Sequence, residues 1–220
     1  MQTEAVKKLV SIPADQVTLE GLLELPENAA GIVLFAHGSG SSRHSPRNNF
    51  VAQILRRTGT GTLLFDLLTS EEDIDYETRF NIPLLTGRLL AATSWTRQYA
   101  PTRDLALGYF AASTGAAAAL QAAAKLAGNL AAVVSRGGRP DLAGKEALGR
   151  VQAPTLLLVG GQDEVVIGLN QRAHTLLSCK KKLSIIPGAT HLFEEPGTLE
   201  QVAEQAADWF KMHLGSNPGE

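Results

Sequence analysis

The sequence contains a single cysteine, Cys179, so no internal disulfide can form, and the chain suits a reducing compartment. Charge of one sign is also missing: 20 Lys and Arg stand against 22 Asp and Glu, a formal net charge of -2. That balance removes the electrostatic basis for binding nucleic acid or an anionic membrane, and neither is expected as a partner. The short basic clusters Lys7-Lys8 and Lys180-Lys181-Lys182 read as solvated strand or loop edges. No apolar run approaches the roughly 18 residues that span a bilayer, since the alanine tract at 116–124 is short and interrupted by Gln121. Residues Met1 to Ala5 lack a basic segment followed by an apolar run, so no secretory signal is read and a cytoplasmic location is expected. His44, His174 and His213 lack metal-ligand spacing, and no metal or other cofactor is expected.

What is present describes an ordinary globular chain, 44% hydrophobic and 19% charged. One domain is expected over residues 1–214, followed by a flexible tail at 215–220. Val6 to Ile12 and Val17 to Leu25 read as a hairpin turning through Pro13-Ala14-Asp15-Gln16. Gly31 to Ala36 is continuously apolar, which suits a strand covered on both faces. Helices and strands then alternate: helix Pro46 to Arg57, strand Thr62 to Asp66, helix Ile82 to Tyr99, strand Leu105 to Phe110 and helix Thr114 to Ala127. Strands Leu130 to Ser135 and Thr155 to Gly160, helix Ile167 to Ser178, strand Leu183 to Ile186 and helix Thr198 to Leu214 follow. This alternation predicts an α/β fold with a mostly parallel central sheet and helices on both faces. Neither the acidic stretch Glu71-Glu72-Asp73-Ile74-Asp75 nor residues Arg136 to Pro154 is long enough for a large lid domain.

In such sheets the ligand lies beyond the carboxyl ends of the strands, and four of those ends carry useful chemistry. Ser113 stands where the strand ending at Phe110 gives way to an alanine-rich helix, the corner at which a nucleophilic serine is exposed. Small residues around it answer a close approach of strand and helix, although position 111 is alanine where glycine is usual, and that methyl predicts overpacking of about 1 to 3 kcal/mol. His191, in the turn-rich loop Pro187 to Phe193, has a neutral form available as a base. Asp163 follows the strand ending at Gly160 and is the favoured acid; Glu164, Asp141 and Asp66 are its rivals, and an N-cap is its structural alternative. His37-Gly38-Ser39-Gly40 leaves the third strand as a glycine-rich turn, so the backbone amides of Ser39 and Thr114 are read as an oxyanion hole and His37 as a brace. The same segment lacks the lysine of a P-loop and the third glycine of a dinucleotide turn. Arg136 and Arg139, past another strand end, are candidates for meeting a substrate carboxylate or phosphate, or for structural ion pairs. Cys179, beside three lysines, has no assigned base.

With Leu34 to Gly40, Gly108 to Gly115, Gly160 to Asp163 and Pro187 to Phe193 in this order, the chain resembles the α/β-hydrolase superfamily, closest to its dienelactone-hydrolase-like members, over about residues 6–214. The resemblance implies a cofactor-free acyl hydrolase with a sheet of seven or eight strands, the second antiparallel, and a Ser113, His191, Asp163 triad. Dienelactone hydrolases proper use cysteine as nucleophile; serine here favours ordinary carboxylic esters as small-molecule substrates. The expected function is therefore a serine esterase working through an acyl-enzyme. A catalytically impaired or engineered scaffold that only binds ligands is the alternative, and a nucleotide-dependent enzyme lacks its phosphate motif.

Overall fold

The computed structural model describes residues 4–215. Of the expected tail at 215–220, residues 216–220 lie outside the described residues. Fourteen principal elements follow one another: β1 (Val6–Ala14), β2 (Val17–Leu25), β3 (Gly31–Ala36), α1 (Pro46–Arg57), β4 (Thr60–Phe65), α2 (Ile82–Gln98), β5 (Ala106–Ala112), α3 (Thr114–Leu126), β6 (Ala132–Arg136), α4 (Lys145–Arg150), β7 (Thr155–Gly160), α5 (Glu164–Leu176), β8 (Lys181–Ile186) and α6 (Thr198–Leu214). The strands form one eight-stranded sheet in the order β1-β2-β4-β3-β5-β6-β7-β8. β2 runs antiparallel to both neighbours, and every pair from β4 to β8 is parallel.

Alternation along the buried strands divides the core into two layers. Ile32 and Leu34 of β3, with Leu107 and Tyr109 of β5, face the side covered by α2, α3 and α5. Val33, Phe35 and Phe110 face the other side, where α1 presents Val51 and Leu55 and α6 presents Val202, Trp209 and Phe210. Both faces of β3, β4, β5, β6 and β7 are buried, so these strands are mostly apolar rather than alternating, with Thr60, Thr62, Ser135 and Arg136 the buried polar exceptions in β4 and β6. α3 is buried nearly all round, with Ala116 to Ala119, Ala122 and Ala123 fully enclosed. Alanine serves both needs there: it has the highest helix propensity, and its methyl lets the helix lie close to the sheet and to α2. No helix among the described residues is long and apolar enough to cross a membrane.

The boundaries depart from sequence expectation in informative ways. β5 runs on through Ala111 and Ala112 because these residues pair with β6, Ala111 opposite Ser135 and Ala112 opposite Arg136. Sheet pairing overrides the helical preference of alanine. α4 was not expected, and α5 starts three residues early, at Glu164. The acidic stretch forms a short 3-10 turn, Glu72–Ile74, and a second, Thr78–Phe80, follows it before α2.

Candidate active site

Ser113 is the first residue past β5 and occupies the N-cap of α3. Its φ of 49° and ψ of -122° lie in a region that L-residues avoid, and its side chain makes no capping hydrogen bond. The conformation is held by the backbone: Ser113 N–H donates to Arg136 O, while its carbonyl accepts from Ala116 N–H (3.1 Å) and Arg139 N–H (3.0 Å). A free hydroxyl on an over-determined, strained corner is what the strand-to-helix junction predicted.

Glycines hold the close backbone approaches at this corner. A Cβ on Gly115 would stand 2.3 Å from Ala36 O and 2.4 Å from His37 O; one on Gly38 would stand 2.9 Å from the Ser113 Cβ. On Gly138 it would meet the Ser135 hydroxyl at 2.0 Å. The Ala111 methyl, by contrast, is a fully buried member of the core between the sheet and α3. The shortest would-be contacts with backbone atoms at this corner lie four residues on, at Gly115 in the first turn of α3.

His191 and Asp163 meet across two strand-end loops, with Nδ1 2.6 Å from Asp163 Oδ2. Asp163 is the N-cap residue of α5, yet its side chain does not cap the helix. It turns toward the imidazole instead, which settles its structural alternative against capping. The rival acids are committed elsewhere: Asp141 to Arg139, and Asp66 to Arg43, while Glu164 is exposed in the first turn of α5. The loops pass closely because Gly160 has no side chain, since a Cβ there would lie 2.5 Å from both Ala189 O and Thr190 O. Gln162 N–H donates to Ala189 O, and Glu195 accepts from both the amide and the hydroxyl of Thr190. Those two bonds hold the Glu195 carboxyl below its ordinary pKa.

The glycine-rich turn after β3 is braced by His37. His37 Nε2 accepts from Leu67 N–H at 3.0 Å, leaving Nδ1 to donate to Gly38 O at 2.9 Å, and burial lowers its pKa. Ser39 N–H is not free; it donates to Thr114 Oγ1 at 3.0 Å. Thr114 N–H, in the first turn of α3, has no acceptor among the described residues.

Ser113, His191, Ser39 and Arg136 line a common cleft of about 220 Å³, together with Ser41, Ser45 and Arg47. Arg139 does not reach it. Its guanidinium holds Asp141 through two bonds of 2.9 and 2.8 Å, so of the two arginines the structure brings only Arg136 to the cleft. Arg47 and Ser45 were missed in the sequence. A signal was present: Arg47 sits in the first turn of α1, which contains no acidic residue, where the helix dipole disfavours a cation. Among the described residues no group of three His, Cys, Asp or Glu side chains converges as metal ligands would.

No family model matches the chain. A crystal structure of dienelactone hydrolase from Anabaena variabilis is 54% identical, covers 96% of this chain and 99% of its own, and superposes with a TM-score of 0.92. The ferulic-acid-bound Est1E from Butyrivibrio proteoclasticus shares the fold with a TM-score of 0.82 at 17% identity, covering 94% of this chain and all of its own. Curated relatives from two strains of Mycobacterium tuberculosis, each named "Putative phosphoribosyl transferase", are 58% identical over 205 residues, 93% of this chain. The chain spans about half the length of those relatives, 46%. The eight-stranded sheet with its antiparallel second strand, the serine at the strained corner after β5 and the near-complete match to the Anabaena protein lead to one assignment: the chain belongs to the dienelactone-hydrolase family of α/β hydrolases.

Proposed function

We propose that this α/β hydrolase is a serine esterase that cleaves small carboxylic esters through an acyl-enzyme. The observation carrying the reading is the 2.6 Å bond from His191 to an Asp163 carboxylate that declines to cap its own helix, in the same cleft as Ser113. With Nδ1 donating to Asp163, the lone pair of His191 is on Nε2, where it can take the Ser113 proton. Ser113 Oγ bonds to the ester carbon, and the carbonyl electrons move onto oxygen. As the carbonyl re-forms, the carbon–oxygen bond to the alcohol breaks, and His191 delivers the proton to that leaving oxygen. Water then repeats the sequence with His191 as base, releasing the acid and restoring Ser113.

The developing oxyanion is assigned to the amides of Thr114 and Ser39. Thr114 N–H is available as it stands; Ser39 N–H becomes so when the Thr114 hydroxyl turns away from it. The phosphoribosyl transferase name of the longer Mycobacterium relatives is not carried to this chain, which matches less than half of their length and whose residues build a hydrolase cleft.

A fluorophosphonate probe tests the proposal directly. The wild type is expected to be labelled covalently and to hydrolyse short p-nitrophenyl esters, whereas Ser113→Ala does neither. Labelling of the alanine variant at the wild-type rate overturns the nucleophile, and absence of labelling and turnover in the wild type favours a ligand-binding scaffold.

A further inference from the structure

Among the described residues Arg136 has no counter-charge. It is 7% exposed, its Nε is buried without a partner there, and the one side-chain hydrogen bond it makes to them is a long one, 3.4 Å from Nη2 to Asn48 Oδ1. Its guanidinium lies 5.8 Å from the centre of the Phe193 ring. No carboxylate among the described residues reaches it. Burial, and the neighbouring charge of Arg47, bring its pKa down to about 10, which leaves it a cation near neutral pH. A buried cation left unpaired is strongly disfavoured, so such a group at the wall of an open cleft points to an anion that arrives from outside.

The surroundings repeat the signal. Arg47 approaches the same cleft from the first turn of the twelve-residue helix α1, which places a second cation at the positive end of a helix dipole. Among the described residues its Nε is also buried and unpartnered, and its only ion pair is with Glu194, a side chain 64% exposed. Ser45 Oγ accepts from Asn48 N–H, so its own hydrogen is directed elsewhere, and Ser41 adds another hydroxyl to the cleft wall.

We propose that Arg136 and Arg47, with Ser41, Ser45 and the N-terminus of α1, form a subsite beside Ser113 for a phosphate monoester group carried by the substrate. The inference rests on the esterase reading and adds the substrate class to it. A single carboxylate would satisfy Arg136 alone, whereas a tetrahedral dianion has oxygens for both guanidinium groups and the serine hydroxyls. Glu194, lying mostly in water, is displaced from Arg47 at little cost. The phosphate is a handle and not the reacting centre: Ser113 still attacks the carboxylic ester, and no phosphorus–oxygen bond breaks.

Three acetate esters differing at one end of the alcohol separate the possibilities: 3-acetoxypropyl phosphate, 4-acetoxybutanoate and neutral propyl acetate. The phosphate ester is expected to exceed propyl acetate in kcat/KM by at least about tenfold, a preference that Arg136→Met abolishes and Arg47→Met reduces. Arg47 is partly exposed, so its variant tests the subsite even where loss of the buried arginine impairs folding. Equal kcat/KM for the phosphate and neutral esters, a preference for the carboxylate, or a phosphate preference surviving both substitutions overturns the proposal. Binding of propyl phosphate to Ser113→Ala, followed by thermal shift, reads the subsite without turnover. Stabilisation that Arg136→Met or Arg47→Met removes supports the subsite even if Ser113 proves not to be the nucleophile; no stabilisation overturns it even if Ser113 does.

Discussion

Replacing Gly115 by alanine adds one methyl at the point where α3 meets the end of β3. The new Cβ would stand 2.3 Å from Ala36 O and 2.4 Å from His37 O, with Ala36 C at 2.8 Å. All three are backbone atoms, so no side chain can rotate away, and restoring ordinary contact means separating helix and strand by about 1 Å. Overpacking of this kind costs about 1–3 kcal/mol, and the upper part of that range applies because both obstructing groups are backbone carbonyls at the end of β3 that cannot rotate aside. Alanine's better helix propensity offsets about 1 kcal/mol, leaving a net destabilisation of about 1–2 kcal/mol and a fall in Tm of roughly 2–8 °C for a chain of this size. The functional loss is expected to be larger in proportion. The same displacement moves Ser39 away from Thr114, and a misplacement of about 1 Å in a reacting constellation can cost on the order of 100-fold in rate. Thermal denaturation paired with the fluorophosphonate labelling rate provides the assay. Gly87→Ala is its control, since that glycine lies inside α2 with nothing within 4 Å of its would-be Cβ, and the substitution should stabilise by about 0.5–1 kcal/mol. A Gly115→Ala protein that matches the wild type in both Tm and labelling rate refutes the argument.

Other perturbations test the remaining parts of the site. The backbone at Ser113 suits glycine better than any L-residue, so Ser113→Gly should be about 1 kcal/mol or more stable than Ser113→Ala, both being inactive; equal denaturation midpoints would show that the corner is unstrained. Asp163→Asn should lower kcat by about 1,000- to 10,000-fold with little change in Tm, because the carboxylate does not cap α5; a loss below tenfold, or an equal loss in Glu164→Gln, removes Asp163 from its role. His37 has a folded pKa below its unfolded value, chiefly through desolvation, so the unfolded chain binds the proton first. Its contribution is full above about pH 6.5 and declines as pH falls through that value toward the folded pKa; urea midpoints of the wild type and His37→Gln should diverge in this window, and parallel curves there would refute the assignment.

The sequence alone carried the order of the strands and of every principal helix except the six-residue α4, because strands buried on both faces are mostly apolar and the longer helices between them must present a buried face to the sheet. It also singled out Ser113, Asp163 and His191 as candidates, since each follows a strand, and strand ends are recognisable from where apolar runs stop. What it could not supply were distances between segments far apart in the chain. Asp163 and His191 lie 28 residues apart, and only the passage of one loop over Gly160 shows that the aspartate serves the histidine rather than its own helix. The extension of β5 through Ala111 and Ala112 was equally hidden, because alanine favours helices and only pairing with β6 holds these two residues extended. Arg136 and Arg139 looked alike in the sequence. The fold gave one of them Asp141 and left the other buried beside Ser113 with no carboxylate reaching it among the described residues, a difference of partners that no local pattern encodes.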